Sequence, residues 1–454
     1  MDFKSVNPAN GELMTGVAAF TAGELESALQ QAALAAPYWR EQAVEERCRL
    51  MRQAAKVLRA RAEELARMMT LEMGKPISEA RAEIEKCALG CEYYAAAGPA
   101  FLADEEIGSD AGRSLVTYQP LGTVLAVMPW NFPFWQVFRF AAPALIAGNT
   151  GLLKHASNVP QCAQAVESVF VEAGFPAGVF RTLMIPSSQV EAVIQDPRVQ
   201  AVTLTGSEPA GRQVAATAGA QIKKSLLELG GSDPFIVLED ADLDWTVAQA
   251  LLSRFMNTGQ SCIAAKRFIV VEAVAEAFIA RFKVAVEALR SGDPLDDATQ
   301  LGPMARFDLR DELHQQVVES LSQGAVAVTG CNHEGGSGAY YQASILDHVK
   351  PGVCAYSEEL FGPVASIIRV ADEDEALRVA NDTDFGLGGS VWTQDTARGE
   401  RIARQLQCGC AFVNGMVKSD PRLPFGGIKH SGYGRELSKQ GIHEFVNAKT
   451  IWIR

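Results

Sequence analysis

Between Ser114 and Leu289 short apolar runs alternate with amphipathic stretches, and that alternation leaves few folds open. Strands are predicted over 114–119, 122–128, 150–154, 179–185, 199–204 and 222–227. Helices are predicted over 159–173 and 209–218. After Gly230-Gly231 the pattern restarts, with strands over 235–238 and 268–271 and helices over 243–255 and 274–289. Strands separated by helices make βαβ units and parallel sheets, so the fold class is α/β. The first hundred residues read as helical. Thr21-x-x-Glu24 is a capping-box signal, 41–73 reads as one long amphipathic helix stopped by Gly74 and Pro76, and a further helix covers 78–97.

A chain of 454 residues is too long for one hydrophobic core, so two or three domains are expected. The formal net charge of −13 disfavours phosphate backbones, so nucleic acid is not an expected partner. Nor is a membrane, because no charge-free apolar run is long enough to span one; the run from Val137 to Leu145 contains Arg139. Met1 to Ser5 lacks the basic start of a secretory signal, and nine scattered cysteines suit reduced thiols, so a cytoplasmic protein is expected. Cys87/Cys91 and Cys408/Cys410 lack second pairs at zinc spacing and read as apolar thiols, with no metal site.

Four short segments could carry chemistry. In Asn257-Thr-Gly-Gln-Ser-Cys262 a glycine two places after the asparagine allows a close turn ahead of a thiol. In Leu227-Glu228-Leu229-Gly230-Gly231 a carboxylate closes an apolar strand, where burial would raise its pKa toward general-base work. Pro129-Trp130-Asn131-Phe132-Pro133 follows a strand, and the asparagine amide could steady an oxyanion. Thr205-Gly206-Ser207 turns from strand to helix and offers backbone N–H groups to a phosphate, although the G-x-G-x-x-G fingerprint is absent. Singly, each has an ordinary structural explanation.

Together, in this order, they resemble the aldehyde dehydrogenase superfamily. The resemblance runs from Asn7-Pro8-Ala9 to Asn447-Ala448-Lys449-Thr450. It also includes Lys154, Glu359-Leu-Phe361-Gly-Pro and Pro424-Phe-Gly-Gly-Ile-Lys-His-Ser-Gly-Tyr-Gly-Arg-Glu436. The resemblance implies Cys262 as nucleophile, Glu228 as the base for deacylation, and Asn131 with the Cys262 N–H as oxyanion donors. It implies cofactor contacts from Trp130, Lys154, Gly206, Ser207, Leu229, Glu359 and Phe361. It implies a dinucleotide-binding domain over 1–101 and 122–231, a catalytic domain over 232–435, and a small oligomerisation element over 102–121 and 436–454. A homodimer or homotetramer follows from that element.

Two positions bear on subtype. Ser157 stands where NAD-preferring members typically carry glutamate. A serine near Lys154 removes a charge that would repel a 2′-phosphate, so NADP is expected, with NAD also usable. Arg139 lies eight residues after Asn131, about two helical turns on. Members resembling succinate-semialdehyde dehydrogenases place an arginine there for the substrate carboxylate, with a hydroxyl such as Ser419 on the facing loop. Trp135 and Phe425 would wall the pocket. Succinate semialdehyde is therefore the expected substrate and glutarate semialdehyde the nearest competitor. Pairing of Arg139 with an acid at a domain boundary is the structural alternative. A non-catalytic protein of the same fold would be expected to lack the nucleophile or the base, and both are here.

Overall fold

A computed structural model describes residues 2–454. The N-terminal region forms four helices, Ala22–Glu41, Val44–Ala60, Ala62–Met73 and Ile77–Phe101. The capping box forms as the sequence suggests: Thr21 Oγ accepts from the Glu24 N–H, and Glu24 Oε2 accepts from the Thr21 N–H at 2.7 Å. The single helix expected over 41–73 is instead broken at Arg61, whose ψ of 13° departs from helical geometry. Arg61 pairs with Glu64 in the first turn of the next helix and reaches across to Ser168 and Glu172 on the helix Pro160–Glu172.

Six strands form the first sheet, in the order Gly432–Tyr433, Lys224–Glu228, Val199–Thr205, Thr123–Met128, Thr150–His155, Phe180–Thr182. Only the Gly432–Tyr433 pairing is antiparallel. Thr123–Met128 is central and reads as a continuous apolar run because both its faces are covered. Val124, Ala126 and Met128 pack among the N-terminal helices and the helix Trp135–Ile146, while Leu125 packs toward Ala22–Glu41. From this strand the chain passes first to one side, to Thr150–His155, and later to the other, to Val199–Thr205. Such a switch leaves a crevice at the carboxyl ends of the strands. The register aligns Met128 with His155 and Thr205 with Glu228 along that edge.

The chain crosses to a second sheet between Glu228 and Asp233. That sheet has seven strands, in the order Val326–Thr329, Ser344–Asp347, Val364–Val370, Ala265–Val271, Asp233–Val237, Gly388–Trp392, Cys410–Val413, with only the first pair antiparallel. Cys262 lies just before the amino end of Ala265–Val271, and Phe361 just before that of Val364–Val370. The carboxyl edge of one sheet thus supplies residues opposite the amino edge of the other. A third, antiparallel sheet joins Val446–Ile453, Arg113–Pro120 and Glu105–Glu106. No helix among the described residues is long and apolar enough to cross a membrane.

Candidate active site

The nucleophile candidate sits on a strained loop. Asn257, Thr258 and Gly259 all have φ between 55° and 71°, three consecutive left-handed residues. A Cβ at Gly259 would collide with the Gly362 carbonyl oxygen. Several side chains hold this turn. Glu79 Oε2 accepts the Asn257 N–H at 2.7 Å, and the Arg254 guanidinium donates to the carbonyls of Gly259, Leu360, Gly362 and Ala265. Lys266 Nζ donates to the carbonyls of Ser261 and Cys262, each at 2.8 Å, and pairs with Glu359 Oε1 at 2.9 Å. Cys262 itself is half-buried. Burial pushes its thiol up to about 12, the Arg139 charge pulls it down and Glu228 pushes it further up.

Asn131 is fixed at both ends of its amide. Its Nδ2 donates to the Gln260 carbonyl at 3.0 Å and its Oδ1 accepts from Gln136 Nε2 at 3.0 Å. One amide N–H remains for another acceptor. Asn257 Nδ2 donates to the Asn131 carbonyl at 2.8 Å, which ties this loop to the cysteine loop. Glu228, at the end of its strand, is 1% exposed, and neither carboxylate oxygen has a hydrogen-bond partner. Burial pushes it up to about 8, opposed by Arg139 and reinforced by Glu436. A buried carboxyl with both oxygens unpartnered, beside a thiol and a spare amide donor, is equipped to move protons.

A cavity of about 310 Å³ opens beside Cys262. Trp130, Asn131, Thr205, Gly206, Ser207, Leu229, Gly230, Glu359 and Phe361 are among its walls. Trp130 and Phe361 meet edge to face at 5.9 Å. Ser207 is the N-cap of the helix Glu208–Ala220, yet its hydroxyl makes no capping bond, so the helix N-terminus faces this space with its N–H groups uncapped. Lys154 is buried and has neither hydrogen-bond acceptor nor acid partner among the described residues. Burial alone lowers its pKa. Ser157 is exposed in the turn that follows. An uncapped helix N-terminus and an unmatched ammonium fit a phosphorylated dinucleotide.

The family model for aldehyde dehydrogenases matches residues 1–451. The chain belongs to the aldehyde dehydrogenase family. This aldehyde dehydrogenase is 50% identical over 448 residues to the succinate semialdehyde dehydrogenase Sad of Escherichia coli (strain K12), named for NAD(P)+, covering 99% of this chain and 97% of that one. It is 51% identical over 453 residues, the full length of both, to a probable NADP+ succinate-semialdehyde dehydrogenase of Synechocystis sp.. Among solved structures, the succinic semialdehyde dehydrogenase of Streptococcus pyogenes in complex with NADP+ superposes with a TM-score of 0.98 at 38% identity, covering 99% of each chain.

The sequence leaves two readings of Arg139, as ligand of the substrate carboxylate or as partner of an acid; this arginine does have an acid partner. It is 4% exposed, its Nε lies 2.5 Å from Glu436 Oε2, its Nη2 donates to Thr205 Oγ1 at 3.3 Å, and its guanidinium stacks 4.9 Å from the Phe425 ring. All twelve residues of Trp135–Ile146 are buried. An arginine on a helix without a solvent face requires an acid partner, and that was the signal for Glu436. Ser419 and Trp135 do meet: Trp135 Nε1 donates to Ser419 Oγ at 3.0 Å. Glu359 lines the cavity but is also the partner of Lys266. Reasoning from the sequence missed Lys266, Glu79 and Gln136. Lys266 and Arg267, adjacent cations inside an otherwise apolar strand, were the visible clue.

Proposed function

We propose that this aldehyde dehydrogenase oxidises succinate semialdehyde to succinate with NADP+, NAD+ serving less well, through a covalent intermediate on Cys262. Cys262 Sγ, its proton lost to solvent, attacks the aldehyde carbon as the thiolate, which leaves the nearby Glu228 carboxyl, raised into the range of a base, free for the later hydrolysis. The oxygen becomes an oxyanion, to which the spare Asn131 amide N–H and the Cys262 backbone N–H donate. Lys154, Ser157, Gly206, Ser207, Leu229, Glu359, Trp130 and Phe361 would hold the cofactor. When bound, its nicotinamide supplies the hydride acceptor that turns the hemithioacetal on Sγ into a thioester. Glu228 then takes a proton from water, the oxygen of that water attacks the thioester carbonyl, the C–S bond breaks and the acid departs.

The observation that carries this reading is the buried, unpartnered Glu228 carboxylate beside the half-buried Cys262 thiol. It supports hydrolysis of the thioester rather than transfer to a larger acceptor. The relatives named for succinate semialdehyde support the substrate. The test is a panel of succinate semialdehyde, glutarate semialdehyde and butanal with NADP+ and NAD+, read by absorbance of the reduced cofactor. Succinate semialdehyde should exceed butanal at least tenfold in kcat/KM, and glutarate semialdehyde, one methylene longer, should lag only modestly. Equal rates with butanal would remove the substrate assignment and leave the dehydrogenase.

A homodimer is part of the same reading. The strand Val446–Ile453 has one edge against Arg113–Pro120 and exposes Trp452 and Ile453, which supports addition of a second subunit there. Sedimentation of the purified protein tests it: a monomer at micromolar concentration would overturn it.

A further inference from the structure

The loop that carries Asn131 runs directly into the helix Trp135–Ile146, and that helix has no cap of its own. Phe134, at the N-cap position, makes no side-chain capping bond, and every residue of the helix is buried, so its first N–H groups cannot turn to water. A distant carboxylate serves them instead. Glu83 Oε1, on the helix Ile77–Phe101, accepts the N–H groups of Phe134 and Trp135, each at 2.9 Å. Its other oxygen pairs with Lys75 Nζ, and neither of these side chains is more than 2% exposed. Lys75 in turn sits 3.8 Å over the Phe132 ring.

Burying both charges is less favourable than burying an apolar pair of similar volume, but an apolar pair would leave the Phe134 and Trp135 N–H groups without an acceptor. What the ion pair secures is the placing of the loop. Only Phe132 and Pro133 lie between Asn131 and Phe134, and the proline ring fixes one torsion of that link. The Pro133 carbonyl is held as well, by His155 Nε2 at 2.9 Å. His155 Nδ1 accepts the Ala156 N–H, so the ring proton sits on Nε2 and the imidazole is the donor to Pro133. One turn before Glu83 on the same helix, Glu79 accepts the N–H of Asn257 in the cysteine loop. The two carboxylates, four residues apart, therefore tie the oxyanion loop and the nucleophile loop to one helix.

We propose that Glu83, braced by Lys75, is a positioning residue for the oxidation: it sets where the Asn131 amide stands relative to Cys262 Sγ. It acts through the backbone N–H groups of Phe134 and Trp135, not by touching the reacting atoms. This inference rests on the reading of Asn131 as an oxyanion donor. An oxyanion donor works only when its N–H meets the oxygen at the place where charge develops. A shift of about 1 Å in the loop therefore slows cofactor reduction and leaves the affinity for the cofactor alone.

The test measures the single-turnover rate of NADP+ reduction with butanal, and the affinity for NADP+ by quenching of tryptophan fluorescence. Glu83→Asp keeps a charge opposite Lys75 but draws the carboxylate back by one methylene. Its rate should fall about tenfold or more while the affinity for NADP+ is unchanged. Lys75→Met combined with Glu83→Gln removes both charges but keeps an oxygen at full reach, and should retain most of the rate. Asn131→Ala alone should lose about a hundredfold or more. Adding Glu83→Asp to it should cost little further, because the residue through which Glu83 acts is gone. A wild-type rate in Glu83→Asp would overturn the inference. So would losses that multiply in the combined variant, or a loss of NADP+ affinity as large as the loss of rate, since either makes Glu83 a general structural residue. A Lys75→Met/Glu83→Gln enzyme as slow as Glu83→Asp would overturn it too, because the acceptor would then not be what matters. If Asn131→Ala alone keeps the wild-type rate, the reading of Asn131 as an oxyanion donor falls and the inference with it.

Discussion

Arg139 Nε and Glu436 Oε2 lie 2.5 Å apart with neither side chain more than 5% exposed, at the point where the last part of the chain returns to the first sheet. A buried pair of this kind is costly to break from one side, because the survivor is left charged and dry. Removing one partner costs roughly 3–5 kcal/mol. Arg139→Met should lower the denaturation midpoint and reduce kcat with butanal as well as with succinate semialdehyde. Arg139→Met combined with Glu436→Leu should regain much of the stability. Urea unfolding and the two aldehydes check this; a loss confined to the acidic aldehyde would return the guanidinium to substrate binding.

Glu228→Gln should give one equivalent of reduced cofactor per subunit and then stall, because the amide cannot deprotonate water. Rapid mixing with absorbance detection reads the burst. In the wild type, Glu228 is raised to about 8, so the basic form grows as pH rises through that value. Steady-state kcat with butanal should therefore increase from pH 7 to 9, and the Gln variant should lose that dependence. Turnover of Glu228→Gln at the wild-type rate would exclude it as the deacylation base.

Ser157→Glu should shift the cofactor preference. The new carboxylate would face a phosphate dianion beside Lys154, at a position open to solvent, where like charges a few ångströms apart cost roughly 1–4 kcal/mol. The KM for NADP+ should rise about tenfold or more, with NAD+ affected far less. Initial rates at varied cofactor check it, and an unchanged KM for NADP+ would place the 2′-phosphate elsewhere.

Glu79 offers a test of the strained turn. Its carboxyl, raised to about 7 by burial, accepts the N–H of left-handed Asn257. Glu79→Gln keeps an acceptor and should retain most activity. Glu79→Ala leaves that N–H without its partner, a loss of roughly 1–3 kcal/mol, and should reduce kcat about tenfold. The burst amplitude with succinate semialdehyde separates a misplaced thiol from slow hydrolysis. Equal kinetics for Ala and Gln would show that the turn holds itself.

The sheets were legible because parallel strands buried on both faces leave uninterrupted apolar runs, as at Thr123–Met128, and the glycine pair at 230–231 marks the crossing between them. The four short segments at Asn131, Gly206, Glu228 and Cys262 were visible for a similar reason: each closes or opens a strand. What pairs with what was not visible. Arg139 and Glu436 are nearly three hundred residues apart. A lone sequence gives the charge of each but not which charges cancel. The sequence shows the charge of Arg139 but not that the Glu436 carboxylate lies against it.

The antiparallel contact of Gly432–Tyr433 with Leu227 and Glu228, and the paired backbone bonds between Phe425 and Glu436, have a consequence for biosynthesis. Cys262, Asn131 and Glu228 emerge from the ribosome long before residues 425–436. Until those residues dock, Arg139 has no counter-ion and the strand ending in Glu228 has an open edge. A nascent chain that already carries its reactive thiol is thus kept from assembling the site around it until almost all of the protein has been made.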